Sequence, residues 1–120
     1  MTNDIPLELA RQELVRLERR LAVEGAPAYT ELLHHDALVI VPGAVLNKDE
    51  CVAAIEASAG WDKVEISPFW YFGTADTATI AYRFTGSRGT DGYQAVLVSS
   101  YLLDNGLPLL IHHQQTPEPV

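Results

Sequence analysis

Cysteine is almost missing from this chain. Cys51 stands alone, so no intramolecular disulfide can form, and such usage suits a reducing, cytoplasmic setting. Basic residues are scarce: 8 Lys+Arg face 16 Asp+Glu, a formal charge of −8 with a pI near 4.8. An acidic surface repels phosphate backbones and anionic headgroups, so neither nucleic acid nor a membrane is expected as a partner. Long apolar runs are absent too. Ala37–Val41 and Ala95–Val98 are far too short to span a bilayer. The acidic start Met1-Thr2-Asn3-Asp4 does not read as a signal peptide. No Gly-rich phosphate loop, no G-x-S-x-G elbow and no Cys/His/carboxylate set with ligand spacing occurs, so neither a cofactor nor a metal is expected. What remains is an ordinary globular composition. The 120 residues are 48 % hydrophobic and 20 % charged, the length of a single domain, 1–120.

The first half reads as helical. Ile5 to Glu24 forms an amphipathic helix, with Asp4 as cap, Pro6 in the first turn and Gly25 as stop. Leu7, Ala10, Leu14, Leu17 and Leu21 make its apolar stripe; Glu8, Arg11, Glu13, Arg16, Glu18, Arg19 and Arg20 read as a solvated face. Pro27 opens a second helix through Tyr29 and Leu33, ending near His34-His35-Asp36. There the histidines would meet the negative end of the helix dipole. Ala37–Val41 is a strand closed by Pro42-Gly43, and Asn47 with Glu50 starts a third helix that ends at Gly60.

After Gly60 the period changes to two. Val64 to Phe72, Thr77 to Thr85, Tyr93 to Leu103 and Leu107 to Thr116 read as strands, the last two joined by a tight Asn105-Gly106 turn. Pro117-Glu118-Pro119 ends the sheet. Three helices followed by an antiparallel meander give an α+β plan with the helices on one face of a bent sheet.

Four segments carry a resemblance to a known family. Asp36-Ala-Leu-Val-Ile-Val-Pro-Gly43, Asn47-Lys-Asp-Glu50, Val98-Ser-Ser-Tyr101 and His112-His-Gln-Gln-Thr-Pro117, in this order of elements, resemble the SnoaL-like domains of unknown function. These belong to the nuclear transport factor 2-like (cystatin-like α+β) superfamily, and the resemblance runs from about residue 7 to residue 118. It implies a cone-shaped fold, three N-terminal helices packed on a curved, mostly antiparallel sheet, with a pocket at the open end and a homodimer. The superfamily includes isomerases, cyclases, a dehydratase, an epoxide hydrolase and non-catalytic association domains, so fold alone does not choose a function. Its catalytic members use a pocket carboxylate. Here Asp49, Glu50, Asp62, Asp76, Asp91 and Asp104 lie at helix starts and turns, and none is carried over as a catalytic residue.

A two-residue turn fixes a register: Tyr101 opposite Leu110, Ser99 opposite His112 and Leu97 opposite Gln114. Ile80, Tyr82, Phe84, Tyr93 and Ala95 then share that face, which mixes aromatic, hydroxyl, imidazole and amide groups. Tyr29, Trp61, Tyr82, Ser99, Tyr101, His112 and Gln114 are therefore the expected ligand-binding residues, with His112 the candidate acid–base group and Trp61 a lid or plug. A satisfied hydrogen-bond cluster in the core is the competing reading. His113 should point to the other face. Phe69-Trp70-Tyr71-Phe72 reads as core or dimer interface, and Cys51 as a small inert buried residue. Two functions follow: a small-molecule pocket protein for an apolar or aromatic ligand, with lyase, isomerase or cyclase-type acid–base activity, or a homodimeric association module with a vestigial cavity. No catalytic residue is assigned at this level.

Overall fold

A computed structural model describes residues 7–103 and 107–119, with side chains from Ala10 onward. The elements run α1 (Leu7–Glu24), α2 (Ala26–Leu32), β1 (Leu33–Val41), β2 (Ala44–Leu46), α3 (Lys48–Glu56), β3 (Lys63–Gly73), β4 (Thr77–Arg88), β5 (Asp91–Leu102) and β6 (Leu109–Pro117). The six strands form one sheet in the order β2-β1-β6-β5-β4-β3. Among the described residues only the β1–β6 pair is parallel. The chain is thus α+β, with three helices on a curved, mostly antiparallel sheet. No helix among the described residues is long and apolar enough to cross a membrane.

Helix α1 lies against β3 and β4, while α2 and α3 pack on each other and α3 on β1. Leu14, Leu17 and Leu21 of α1 bury against Leu32, Ile80, Tyr82, Leu97 and Leu110. A capping box starts α3: Asn47 Oδ1 accepts from the Glu50 amide at 2.9 Å, and Glu50 Oε1 accepts from the Asn47 amide at 2.9 Å.

Several boundaries differ from the expectation. The second helix stops at Leu32 because Leu33 is already extended and pairs with Leu110; His34, His35 and Asp36 are strand residues, not a helix end. A short β2 turns back on β1 through Pro42-Gly43, where Gly43 has φ 81°. The third helix ends at Glu56 rather than Gly60. Pro117 remains in β6 as its last residue, opposite Ala95. The Asn105-Gly106 turn lies outside the described residues, but the strands it joins pair Leu102 with Leu109 and Tyr101 with Leu110 as expected.

The expected register fails one step further on. Ser100 pairs with His112 and Ser99 with His113, because the ladder shifts between Ser100 and Tyr101 and leaves Ile111 as an extra residue on β6. A bulge of one residue reverses the face of everything beyond it. His113 and Gln115 therefore face the helices. His112 and Gln114 face away, with His112 Nε2 3.2 Å from Gln114 Oε1.

Candidate active site

The centre of the molecule holds a carboxylate that the sequence reading placed in solvent. Glu18 is 1 % exposed. It lies four residues after Leu14 and three before Leu21, on the arc that α1 turns inward. Three hydroxyls reach it. Tyr82 donates to Oε1 at 2.5 Å, Ser99 donates to Oε1 at 2.8 Å, and Tyr101 donates to Oε2. Burial, followed by the Glu18 charge, holds both tyrosines well above the usual phenol range, so they stay protonated and donate. A buried carboxylate is tolerated when hydrogen-bond donors replace its water.

His113 completes the cluster. Its Nδ1 lies 2.7 Å from Ser99 Oγ and 3.7 Å from Glu18 Oε1, and Tyr29 meets the ring edge-on at 6.2 Å. Burial pushes its pKa below the ordinary imidazole value; the Glu18 charge opposes this and His112 reinforces it. The ring is neutral at pH 7. Its Nε2 is buried without a hydrogen-bond partner among the described residues.

Two neighbouring spaces lie beside this cluster. A cavity of about 30 Å³, enough for one or two waters, is lined by Glu18, Tyr82 and His113 with Leu21, Ala22, Tyr29, Trp61, Phe84, Leu97 and Gln115. Outside it a groove of about 390 Å³ runs between the end of α1, the start of α2 and the α3–β3 connection. Leu21, Ala22, Tyr29, Trp61 and Gln115 line both. Trp61 stacks on Tyr93 (5.6 Å between centroids) and meets Phe84 edge-on, with the Arg88 guanidinium 4.0 Å above its ring. A side chain at Gly86 would meet Trp61 Cε3 at 2.7 Å, so glycine is needed there for the indole to lie on the sheet.

The expected site residues divide accordingly. Tyr29, Trp61 and Tyr82 line the cavity, and Ser99 and Tyr101 stand behind Glu18. His112 and Gln114 do not belong to this group; the bulge puts His113 and Gln115 there instead. Glu18 was missed because charge outweighed position, although Leu14, Leu17 and Leu21 mark its place on the stripe. Cys51 is buried, and burial pushes its thiol up to about 11. On the β1 bulge His34, His35 and Asp36 bring ligand atoms within 4.8 Å of one another, but His35 and Asp36 are exposed and none of the three lines the cavity or groove.

Three helices packed on a curved, mostly antiparallel six-stranded sheet match the nuclear transport factor 2-like fold, and the chain has this fold. It is similar to a nuclear transport factor 2-like protein from Cytophaga hutchinsonii (TM-score 0.77, 18 % identity, covering 90 % of this chain and 98 % of that one). A ketosteroid isomerase-like protein from Erwinia carotovora atroseptica superposes at TM-score 0.79 with 14 % identity, covering 97 % and 100 %. A Pseudomonas aeruginosa protein of this fold and of unknown function gives 0.71 with 21 % identity, covering 92 % and 98 %. At such identities the likeness is one of fold. No protein-family model and no curated protein matches the sequence.

Proposed function

We propose that the protein binds a small, largely apolar molecule in the groove beside Trp61 and performs proton-transfer chemistry of the lyase, isomerase or cyclase type at the groove's floor. One observation carries this reading: an ionisable cluster, Glu18 with His113, lies buried under a space of ligand size. The inner cavity admits a single functional group, so the bulk of the ligand sits in the outer groove, against Ala22, Ile55, Ala59 and Trp61. The ketosteroid isomerase-like neighbour is compatible with such chemistry. Native mass spectrometry of the purified protein tests it. A bound small molecule is expected in the wild type and lost in Ala22→Phe, which fills the groove; no difference between the two sinks the reading.

The opposite face supports a second copy of the chain as partner. Phe69, Trp70 and Phe72 are each more than half exposed, and Trp70 and Phe72 stack at 6.3 Å between centroids. An apolar patch of this kind is ordinarily covered. Sedimentation should show a dimer that Trp70→Glu dissociates; a 13.2 kDa wild-type species rules the dimer out. A dimer without any groove ligand would leave the association-module reading.

A further inference from the structure

We propose that His113 Nε2 is a lone-pair acceptor fixed by Ser99 and Glu18, and that the cavity takes a neutral, hydroxyl-bearing apolar molecule whose O–H donates to it. The inference rests on the pocket reading above and deepens it.

A serine hydroxyl has one proton, and that of Ser99 goes to Glu18 Oε1 at 2.8 Å. Ser99 Oγ also lies 2.7 Å from His113 Nδ1. With its only proton used, Ser99 can serve that contact as acceptor alone, so Nδ1 carries the hydrogen. The reverse arrangement would send the Ser99 proton to Nδ1 and remove a donor from a buried carboxylate. A neutral imidazole bearing hydrogen on Nδ1 has a lone pair on Nε2, the atom without a partner. A buried acceptor without a donor costs free energy; the His113 ring lines the inner cavity while Nε2 itself is covered, and a ligand hydroxyl that displaces this cover supplies the donor.

Charge then narrows the ligand class. A carboxylate ligand would face the Nε2 lone pair with Glu18 behind it. An ammonium could donate, but the Glu18 oxygens already accept from three hydroxyls, and Leu21, Ala22, Phe84 and Leu97 offer a cation no compensation. At the rim Arg88 is engaged with the Gly60 carbonyl and the Trp61 ring, leaving it poorly placed to hold an anion. A neutral hydroxyl fits the acceptor without these penalties.

The test uses ¹⁵N-labelled full-length protein. Two-bond ¹H–¹⁵N spectra are expected to show His113 protonated on Nδ1 and bare on Nε2. Ser99→Ala should abolish that preference and Ser99→Thr should restore it. Cyclohexanol, cyclohexylamine and cyclohexanecarboxylate then offer one ring with three head groups. Cyclohexanol should shift His113 Nε2 and bind about tenfold more weakly to His113→Phe, the effect of losing one buried hydrogen bond. An Nε2–H tautomer overturns the inference, as does an unchanged tautomer in Ser99→Ala or an amine or acid that matches the alcohol. The Ile55 and Ala59 amides report groove occupancy separately. If they shift while His113 does not, this inference fails and the pocket reading stands; if nothing shifts, both fail.

Discussion

His112 and His113 carry the same imidazole one residue apart, yet their surroundings differ in every respect. His112 is half-buried on the outer face of β6 and touches Gln114; His113 is 1 % exposed on the inner face, beside Glu18, Ser99 and Tyr29. The same contrast extends to the whole sheet. Its outer face leaves Phe69, Trp70 and Phe72 in solvent, whereas its inner face buries a carboxylate and an imidazole. Burial of polar groups on one side and exposure of apolar groups on the other is the reverse of what folding alone favours. Both departures are therefore places to look for function.

Glu18 should give the largest effect. Glu18→Ala leaves Tyr82, Ser99 and Tyr101 with buried hydroxyls that have lost their acceptor. Unfolding by urea should show a loss of roughly 3 to 5 kcal/mol, with Glu18→Gln losing less because its amide oxygen still accepts. A loss below about 1 kcal/mol, the size of an ordinary surface change, would mean that the inner face is no different from the outer one.

Gly86→Ala comes next. The new methyl would stand 2.7 Å from Trp61 Cε3 and 2.9 Å from Phe84 Cε2, both rings held by neighbours. The indole must move off the sheet, at a cost of about 1 to 3 kcal/mol. Trp61 fluorescence should shift to the red and the inner cavity should open to quenchers. Unchanged emission would show that Trp61 is not held as the structure has it.

Much of this architecture could be read from the sequence. The three helices, the capping box at Asn47 and the β5–β6 pairing at Tyr101 follow from periodicity and turn chemistry. The inner face from Ile80 to Ser99 was legible for the same reason, since alternation carries it without interruption. The site itself was half legible. A bulge at Ile111 has no composition cue, because isoleucine is equally at home in a regular ladder, and one extra residue reverses His112 and Gln114. Glu18 failed differently. Its position was readable from the leucine spacing, but only the hydroxyls from β4 and β5, more than sixty residues away, make a carboxylate tolerable there.

Stability should depend on pH through His113. Burial lowers the folded-state pKa of His113, against the pull of Glu18 and with the push of His112; Tyr29, Tyr82 and Tyr101, held above the usual phenol range, do not titrate nearby. The unfolded chain therefore takes up this proton first as pH falls below roughly 6.5. Its contribution is complete above that pH and declines below it until the folded state protonates as well. Wild type should lose more stability between pH 7.5 and 5.5 than His113→Phe does, because only the wild type holds this imidazole neutral by burial. Carboxylate effects common to both proteins cancel in the difference. Equal slopes would contradict a buried neutral His113.

His112→Ala should change least. Its Nε2 lies 3.2 Å from Gln114 Oε1 in a half-buried position on the outer face, and changes outside the core stay within about 0.5 kcal/mol. It should nevertheless leave a trace on its neighbour. His112 is one of the charges that disfavour a proton on His113, so removing it should raise the His113 pKa slightly, visible in a titration of the His113 ring. Groove occupancy should be unaffected, because the side chain points away from it. If His112→Ala instead destabilised the protein as much as a change at His113, the bulge at Ile111 would have to be absent in solution. The register would then be the regular one, with His112 opposite Ser99.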